Sequence, residues 1–534
     1  MKNYRIFLTA VTLVAVSFAA SARYVEMKLS QTRGNIAVQI NSQMKRLSRT
    51  DTLILNFDKP GTYTIDRTIE TTCNTEMKGV DVATTILEVV KGKDANGKSV
   101  SQDDCIFGFK GKETKKIWVK VHDLTVKMAA HDQQEWNDHE RHLFKFYHAK
   151  KVDFTNVNSY IDNCKMTSLD MRVCSNIDVS NCIFQNYNNS TIGGCVWLRG
   201  DTENVFVHDN IFRKYGKDEI LAFWSLENSK TTVQRKNIHV TNNKITYGYN
   251  GKDKQDITNG LIISVWGGEG APCHLEDIGI DNNTIETNDN MHCIMMINTA
   301  EKTTHKGLSI SNNTITIGKG FTGKLERFDL IRVFDQSTNP SVINICGNTV
   351  TVAKGNGEPF NFILMRGGNV NFSNNTVTDG QGSFLIRSCQ YPGTVTLTGN
   401  NYSGLAYLAK FGECEQVSDF TLTAQNNTFS GNTSICALRI AKCNFTITNN
   451  TFNSTSGEAI LFEGGPTAGN VTFANNKVRC SSGRRPIYHP KSWIKTNFSR
   501  LNITGNTFTN AGSRSTVEAG LSSFRRANVS GNSY

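Results

Sequence analysis

The sequence predicts an all-β fold: a single right-handed parallel β-helix whose coils each contribute three short strands, with an N-terminal capping helix. Three observations support this prediction. A phrase of β-branched residues around an asparagine pair, such as SISNNTITIG at 309–318, recurs about every 29 residues from 177 to the last residue. One further apolar run, such as GCVWLRG or DLIRVFDQ, lies between successive phrases. The hydrophobic fraction is only 38%, as expected when every repeat is largely exposed.

Residues 1–22 have the pattern of a secretory signal peptide. Lys2 and Arg5 precede an apolar run from 6 to 20, and Ala20-Ser21-Ala22 supplies small residues for cleavage. We therefore expect the mature protein to be secreted, periplasmic or on the cell surface. No later apolar stretch is long enough to predict a membrane span.

The β-helix is predicted to begin with a cap and first coils over residues 23–130. Residues 35–48 place Ile36, Ile40, Met44 and Leu47 on one face of a helix. The strand TLILNF and the turn KPGTYTI then lead into the coils. Residues 131–534 are predicted to continue the same domain. No capping segment follows the last phrase, NVSGNSY, so we expect either a partner over its strand edges or a short polar edge that tolerates exposure.

The asparagine pairs are interpreted as corners between strands. Asparagine tolerates positive φ, and a stack of asparagines can pass amide hydrogen bonds from coil to coil. The predicted ladder comprises Asn181, Asn210, Asn243, Asn283, Asn313, Asn348, Asn375, Asn400, Asn427, Asn450, Asn476, Asn506 and Asn532.

This order of helix, strand, turn and repeated corners resembles the pectin-lyase-like superfamily of right-handed parallel β-helices, over residues 35–534. The superfamily includes pectate lyases, polygalacturonases and glycan depolymerases. The resemblance implies a protein that binds glycans, but it does not identify a reaction, because the same fold supports several.

The net charge and the cysteine content limit the partners, metal sites and disulfides that the sequence predicts. The formal net charge is +11, and removing Lys2 and Arg5 with the signal peptide leaves +9, which is compatible with an anionic partner and equally with a mildly basic soluble surface. Nucleic acid is disfavoured by the predicted export and by the lack of a nucleic-acid-binding motif. The 14 cysteines contain no CxxC pair, so no metal site is predicted. They are either buried core residues or, in the minority interpretation, disulfides around Cys164, Cys174, Cys182 and Cys195.

The middle coils are the predicted site. The longest intervals between asparagine pairs fall between Asn210 and Asn348, so long loops should form the walls of a groove there. Arginine recurs on the strand before each corner, where guanidinium groups can bind the carboxylates of an acidic polysaccharide. The predicted substrate-binding residues are Trp197, Arg199, Trp266, Arg366 and Arg387.

Catalytic candidates lie at the start of these strands. The segment YGKDEILAFW resembles the polygalacturonase segment with two adjacent aspartates, which places Asp218 and Glu219 as acid and base. Gly193-Gly194-Cys195 and Thr258-Asn259-Gly260 stand where that family has other catalytic motifs. His292 and Asp329 are predicted to follow on later coils along the same edge.

A lyase interpretation uses a different set. Pectate lyases use an arginine base with acidic ligands for Ca²⁺, and Arg332 beside Asp329 resembles that arrangement. Ca²⁺ is therefore a possible cofactor. The two hypotheses that remain are a secreted lyase or hydrolase of an acidic polysaccharide, and a non-catalytic glycan-binding or adhesin-type β-helix.

Overall fold

The computed structural model describes residues 22–534 apart from a set of short segments. Those segments are 31–34, 94–104, 129–140, 163–165, 188–192, 216–218, 225–231, 249–260, 268–271, 288–292, 300–301, 319–328, 338, 353–359, 379–381, 387–391, 404, 412–419, 431–432, 438–441, 454–459, 464–467, 480–486, 489–499 and 511–526. The predicted signal peptide and residues 131–140 therefore lie outside the described residues, except for Ala22.

One helix, α1 (Ile36–Met44), covers the first coil. Its N-cap is Asn35, whose side-chain oxygen accepts a hydrogen bond from the Val38 backbone N–H at 3.0 Å. Ile36, Ile40 and Met44 are buried, and Leu47 packs against the same core while partly exposed. The predicted apolar face of the capping helix is confirmed.

The smaller of two parallel sheets takes one strand from each coil, and 15 of its strands lie in the described residues. They are β4 (Ile69–Thr71), β7 (Cys105–Lys110), β9 (Arg141–Tyr147), β11 (Met166–Arg172), β14 (Val196–Arg199), β17 (Leu221–Trp224), β20 (Leu261–Gly267), β23 (Cys293–Thr299), β26 (Asp329–Asp335), β29 (Phe360–Met365), β32 (Gly382–Ile386), β35 (Leu405–Phe411), β38 (Thr433–Ala437), β41 (Ile460–Glu463) and β44 (Ile487–Tyr488).

The larger sheet takes two strands from most coils and bends at the corner between them. Its strands are β1 (Tyr24–Lys28), β2 (Thr52–Asn56), β3 (Gly61–Arg67), β5 (Asn74–Lys78), β6 (Thr85–Lys93), β8 (Ile117–Met128), β10 (Ala149–Asp162), β12 (Ser175–Ser180), β13 (Ile183–Tyr187), β15 (Thr202–His208), β16 (Ile211–Tyr215), β18 (Val233–Thr241), β19 (Lys244–Gly248), β21 (Cys273–Asp281), β22 (Thr284–Thr287), β24 (Thr304–Ser311), β25 (Thr314–Ile317), β27 (Val342–Cys346), β28 (Thr349–Val352), β30 (Gly368–Ser373), β31 (Thr376–Thr378), β33 (Gly393–Thr398), β34 (Asn401–Ser403), β36 (Phe420–Gln425), β37 (Thr428–Ser430), β39 (Lys442–Thr448), β40 (Thr451–Asn453), β42 (Ala468–Ala474), β43 (Lys477–Arg479), β45 (Arg500–Thr504), β46 (Thr507–Thr509) and β47 (Ala527–Ser530).

Successive coils stack in parallel register. For example, β12 pairs with β15 and β13 with β16, each one coil further along the chain. Alternate residues of these strands point inward, where apolar rings stack between coils: Phe184 and Phe212 lie with ring centroids 5.1 Å apart. The predicted all-β fold, a parallel β-helix with an N-terminal capping helix, is confirmed.

The corner between the two strands of the larger sheet uses two residues for two different tasks. The first has a left-handed backbone, with φ of 55° at Asn312 and 67° at Gly347. The second, Asn313 or Asn348, is buried and points inward. Its side-chain oxygen accepts hydrogen bonds from both the backbone N–H and the amide of the asparagine one coil earlier; for Asn348 both distances are 3.0 Å. These hydrogen bonds between coils form the predicted asparagine ladder.

The prediction that Asn181 belongs to the ladder is wrong. Asn181 is the left-handed first residue of its corner, with φ of 54°, and Cys182 occupies the inward position. Cys182 donates its backbone N–H to the Asn210 side chain at 2.9 Å, so the asparagine ladder begins at Asn210. The phrase SNC carries its asparagine one position earlier than the later repeats do.

The cysteines of the described residues behave as core residues. Eight have a free thiol, and seven of those are buried, including Cys174, Cys182 and Cys195. Cys164 lies outside the described residues. Among the residues that the structure covers, no helix has the length and hydropathy needed to cross a membrane.

Candidate functional site

Two columns of backbone positions run along the outward side of the smaller sheet, with one position of each column per coil. The pairing register places in the first column Lys145, Asp170, Trp197, Ala222, Ser264, Met296, Arg332 and Leu364. The second column lies two residues further along each strand and contains Tyr147, Arg172, Arg199, Trp224, Trp266, Asn298, Phe334 and Arg366. We call these two columns the arginine face.

Asp170 is the centre of a charged cluster on this face. Its side chain is fully buried. Arg172 donates its Nε–H to Oδ2 at 2.8 Å, and Arg199 Nε lies 3.2 Å from Oδ1. His142 Nε2 is 3.4 Å from Oδ2, and Lys145 is the register partner of Asp170 on the preceding coil. One carboxylate therefore holds two guanidinium groups from adjacent coils side by side.

The protonation states of this cluster follow from burial and charge. Burial lowers the pKa of His142 to about 3, so the imidazole is neutral near pH 7. Burial opposes ionisation of Asp170, but positive charge at His142, Arg199 and Arg172 outweighs it and lowers the pKa of Asp170. Because His142 is neutral near pH 7, Arg199 and Arg172, together with Lys145, are the positive charges that keep Asp170 ionised there.

Aromatic rings lie beneath these cations. The Arg199 guanidinium lies 4.8 Å from the Trp197 ring centroid, and Arg172 lies 5.4 Å from that of Tyr147. The Lys145 ammonium is also 5.4 Å from the Tyr147 ring. The rings and the Asp170 carboxylate thus fix the positions of three positive groups at one end of the arginine face.

A second cluster lies further along the same face. Asp329 is fully buried and accepts a hydrogen bond from Arg332 Nε at 2.6 Å. Arg366 lies over the Phe334 ring at 4.6 Å. Cys293, one coil before Asp329, is buried, and burial raises the pKa of its thiol, so it is not an activated nucleophile. This cluster repeats the pattern of a buried carboxylate, arginine and an aromatic ring.

Glu219 lies between the two clusters, immediately before β17. Its side chain is 5% exposed, and Ser264 donates a hydrogen bond to Oε1 at 3.3 Å. The following residue, Ile220, donates its backbone N–H to Ile262 at 3.0 Å, which aligns Glu219 with Leu261 on the next coil. The Glu219 carboxyl group therefore lies next to Ser264, a member of the first column of the arginine face.

The predicted edge of catalytic residues is partly present. Leu261, Cys293 and Asp329 are successive register partners, so Glu219 and Asp329 lie on one line three coils apart. At ~4.8 Å per coil this is about 14 Å, beyond the ~5–9.5 Å that separates the two carboxylates of a glycosidase. Glu219 and Asp329 therefore do not form such a pair with each other.

The structure tests the geometry of only some predicted site residues. Trp197, Arg199 and Arg366 lie on one face, as the alternation predicts, and Arg332 lies on it beside Asp329. For Trp266 the backbone register is described, but the side chain is not. Asp218, His292 and Arg387 lie outside the described residues.

Sequence reasoning missed the residues that organise the first cluster: Asp170, His142 and Lys145. Asp170 lies at an outward position of the strand MTSLDMR, two residues before Arg172, so the alternation itself contained the signal. Among the described residues, no three His, Cys, Asp or Glu side chains form a group that could hold a metal ion.

Comparisons with known proteins identify the fold and not the family. No protein-family model matches the chain. No curated protein matches it either.

Solved structures with this architecture do match. A tailspike protein of E. coli bacteriophage HK620, in complex with a pentasaccharide, is 11% identical, with 93% of this chain and 77% of that chain covered at a TM-score of 0.50. The catalytic unit of a GH87 α-1,3-glucanase from Streptomyces thermodiastaticus is 13% identical, with 89% and 70% covered at a TM-score of 0.37. At this identity the likeness to the tailspike supports the parallel β-helix fold alone.

Proposed function

We propose that this chain is a carbohydrate-active β-helix that binds an acidic polysaccharide along the arginine face and cleaves it there. The observation that carries the proposal is the pair Arg172 and Arg199, held side by side by the buried Asp170. Three cations surround that one carboxylate, counting Lys145, so this end of the face has an excess of positive charge. A uronate carboxylate or a sulfate group complements it.

The spacing of the face suits a polymer. Guanidinium groups one coil apart are about 4.8 Å apart along the axis, and the second cluster offers Arg332 and Arg366 further on. Trp197 and Phe334 supply apolar surface beneath the cations. Repeated positive charge along one line is what a chain of acidic sugars requires, since a single acidic sugar would need only one cluster.

Hydrolysis at Glu219 is the proposed reaction. Glu219 carries a carboxyl group on a coil between the two cationic clusters, where a chain bound to both clusters would pass. Asp218 is proposed as its partner on the strength of the sequence alone, and His292 remains a prediction. Arg332 is proposed to bind substrate and not to act as a lyase base, because its Nε is already bonded to Asp329.

The location of the reaction is also a proposal. The signal-peptide pattern of residues 1–22 favours action outside the cytoplasm, either secreted, in the periplasm or at the cell surface. A polysaccharide is a substrate found in those places.

A depolymerisation screen tests this proposal. Residues 23–534 would be incubated with uronate-containing, sulfated and neutral polysaccharides, with and without Ca²⁺, while reducing ends and the ultraviolet absorbance of unsaturated products are followed. Reducing ends without absorbance, on an acidic polysaccharide, are expected. New ultraviolet absorbance would show that the reaction is β-elimination and not hydrolysis. Absorbance that appears only with Ca²⁺ would support the lyase interpretation.

Substitution of Glu219 gives the sharper expectation. Glu219→Gln preserves the size of the side chain but removes its acid–base function, so turnover should fall at least about 100-fold while binding persists. Glu203→Gln, at an exposed position on β15, is the control and should leave turnover unchanged. Equal loss in both variants, or full activity of Glu219→Gln, would contradict the assignment.

The alternative is a glycan-binding protein without catalysis. A specific observation supports it: the buried carboxylates of Asp170 and Asp329 are each bonded to an arginine of the arginine face, and so are suited to positioning that arginine. Binding of an acidic glycan with no product in the screen would establish this alternative.

A further inference from the structure

An aromatic platform lies on a different surface, the outward face of the larger sheet. Phe206 on β15 and His239 on β18 are register partners on adjacent coils. Their rings are nearly parallel, with 15° between the planes and 5.9 Å between the centroids. Phe206 is 41% exposed, unlike almost all large apolar side chains of the described residues. Two rings therefore present a flat surface to solvent.

A glycine sets one end of this platform. Gly279 on β21 is the register partner of His239 on the next coil. A Cβ atom there would come within 2.4 Å of Asp281 Oδ2 and 2.9 Å of His239 Nδ1. Because the residue is glycine, the His239 ring keeps its parallel orientation and the Asp281 carboxylate lies beside it.

Hydrogen-bonding groups with fixed positions lie on both sides of the rings. On one side, His239 Nε2 is 2.9 Å from Asn237 Oδ1, and Asn237 donates to Asn204 Oδ1 at 2.9 Å. On the other side, His208 lies 2.7 Å from Asp209 and 3.3 Å from Asp178. The platform is thus bordered by amides and carboxylates that are already ordered by one another.

The charge of this surface is opposite to that of the arginine face. Asp178, Asp209, Asp277 and Asp281 border the rings. Burial alone would lower the pKa of His208, but its hydrogen bonds with Asp209 and Asp178 raise it. Asp178, Asp209 and Asp277 outnumber a protonated His208 even without Asp281, whose pKa is raised by burial, so the surface is negative and disfavours an acidic glycan.

We propose that Phe206 and His239 form a binding site for an uncharged sugar ring. The C–H face of a pyranose packs on flat aromatic surface, and its hydroxyl groups are donors and acceptors for carboxylates and amides at the edge of the ring. This site is separate from the arginine face and does not depend on the reaction proposed there. It would hold a neutral region of a glycan, or a second chain, against the side of the β-helix.

Calorimetric titration with a panel of neutral gluco-, xylo-, manno- and galacto-oligosaccharides tests the site. At least one of them should bind the full mature chain, and Phe206→Ala should weaken that binding about tenfold or more. Phe206→Trp should retain it, while Gly279→Ala should weaken it by displacing the His239 ring. The matched control is Val342→Ala, which removes an apolar side chain that is 48% exposed on β27 of the same sheet.

Two results would overturn this inference. One is the absence of binding by every neutral oligosaccharide in the panel. The other is binding that Phe206→Ala and Val342→Ala affect equally. Acidic-glycan binding should be the same in Phe206→Ala as in the unmodified chain, so a failure of this site is distinguishable from a failure of the arginine face.

Discussion

Replacing Asp170 by asparagine is expected to lower the free energy of unfolding by about 3–5 kcal/mol. The substitution keeps the shape of the side chain but leaves Arg172 and Arg199, whose side chains are only 16% and 21% exposed, next to each other without their shared carboxylate. Removing one partner of a buried ion pair costs more than the pair contributes, because the remaining charges stay desolvated. Chemical denaturation of both proteins measures the difference.

The pH dependence of the same variant provides an internal check. The pKa of Asp170 is lowered by folding, so its stabilising contribution is present above the unfolded-state pKa of about 3.9 and is lost as the pH falls towards the lower folded-state value. The unmodified protein should therefore lose its advantage over Asp170→Asn in acid.

The control is Asp153→Asn, at a surface pair with Lys151 on β10. The two side chains are 25% and 58% exposed and lie 2.8 Å apart, so the expected loss is at most about 1 kcal/mol. Losses of similar size at Asp170 and Asp153 would show that the Asp170 cluster is not an organising feature of the face.

The second large effect is expected from the middle of the asparagine ladder. Asn375→Ala removes an acceptor for the backbone N–H and the amide of Asn348, at 2.9 Å each, and donors to Ile345 O at 2.8 Å and Asn400 Oδ1 at 3.1 Å. A buried polar group left without a partner costs about 1–3 kcal/mol, so we expect a loss of about 3–5 kcal/mol in unfolding free energy. Thermal and denaturant unfolding followed by circular dichroism measure it.

An asparagine outside the ladder, on the outward side of a strand, serves as the control for this substitution. Asn470 is exposed, and its amide reaches Asn444 Oδ1 at 3.4 Å, so Asn470→Ala should change the stability by no more than about 0.5 kcal/mol. If the two alanine variants unfold at the same denaturant concentration, the ladder does not stabilise the coils.

Local periodicity was sufficient to predict the fold and part of the face. Trp197 and Arg199 are two residues apart on one strand, so a strand with period two must place them on the same side. The ladder required only the repeat of the asparagine pairs. It failed at Asn181 because the inward position there is occupied by Cys182, and the sequence does not show which member of the pair turns the backbone.

Contacts between coils could not be read from the sequence. Asp170 reaches Arg199, which lies on the next coil, only because β11 and β14 pair in one particular register. The same limit applies to Glu219, whose partner Ser264 is 45 residues away along the chain. Arg332 is different: its contact with Asp329, three residues earlier, was available from local spacing.

Binding of an oligogalacturonate to Arg199→Ala is the most direct test of the claim that the arginine face recognises an acidic glycan. The matched control is Arg213→Ala, on β16 of the larger sheet. The proposal predicts that binding weakens at least about tenfold in Arg199→Ala, is unchanged in Arg213→Ala, and weakens with added salt in the unmodified chain. Equal affinities of all three proteins, or affinity that does not respond to salt, would contradict it.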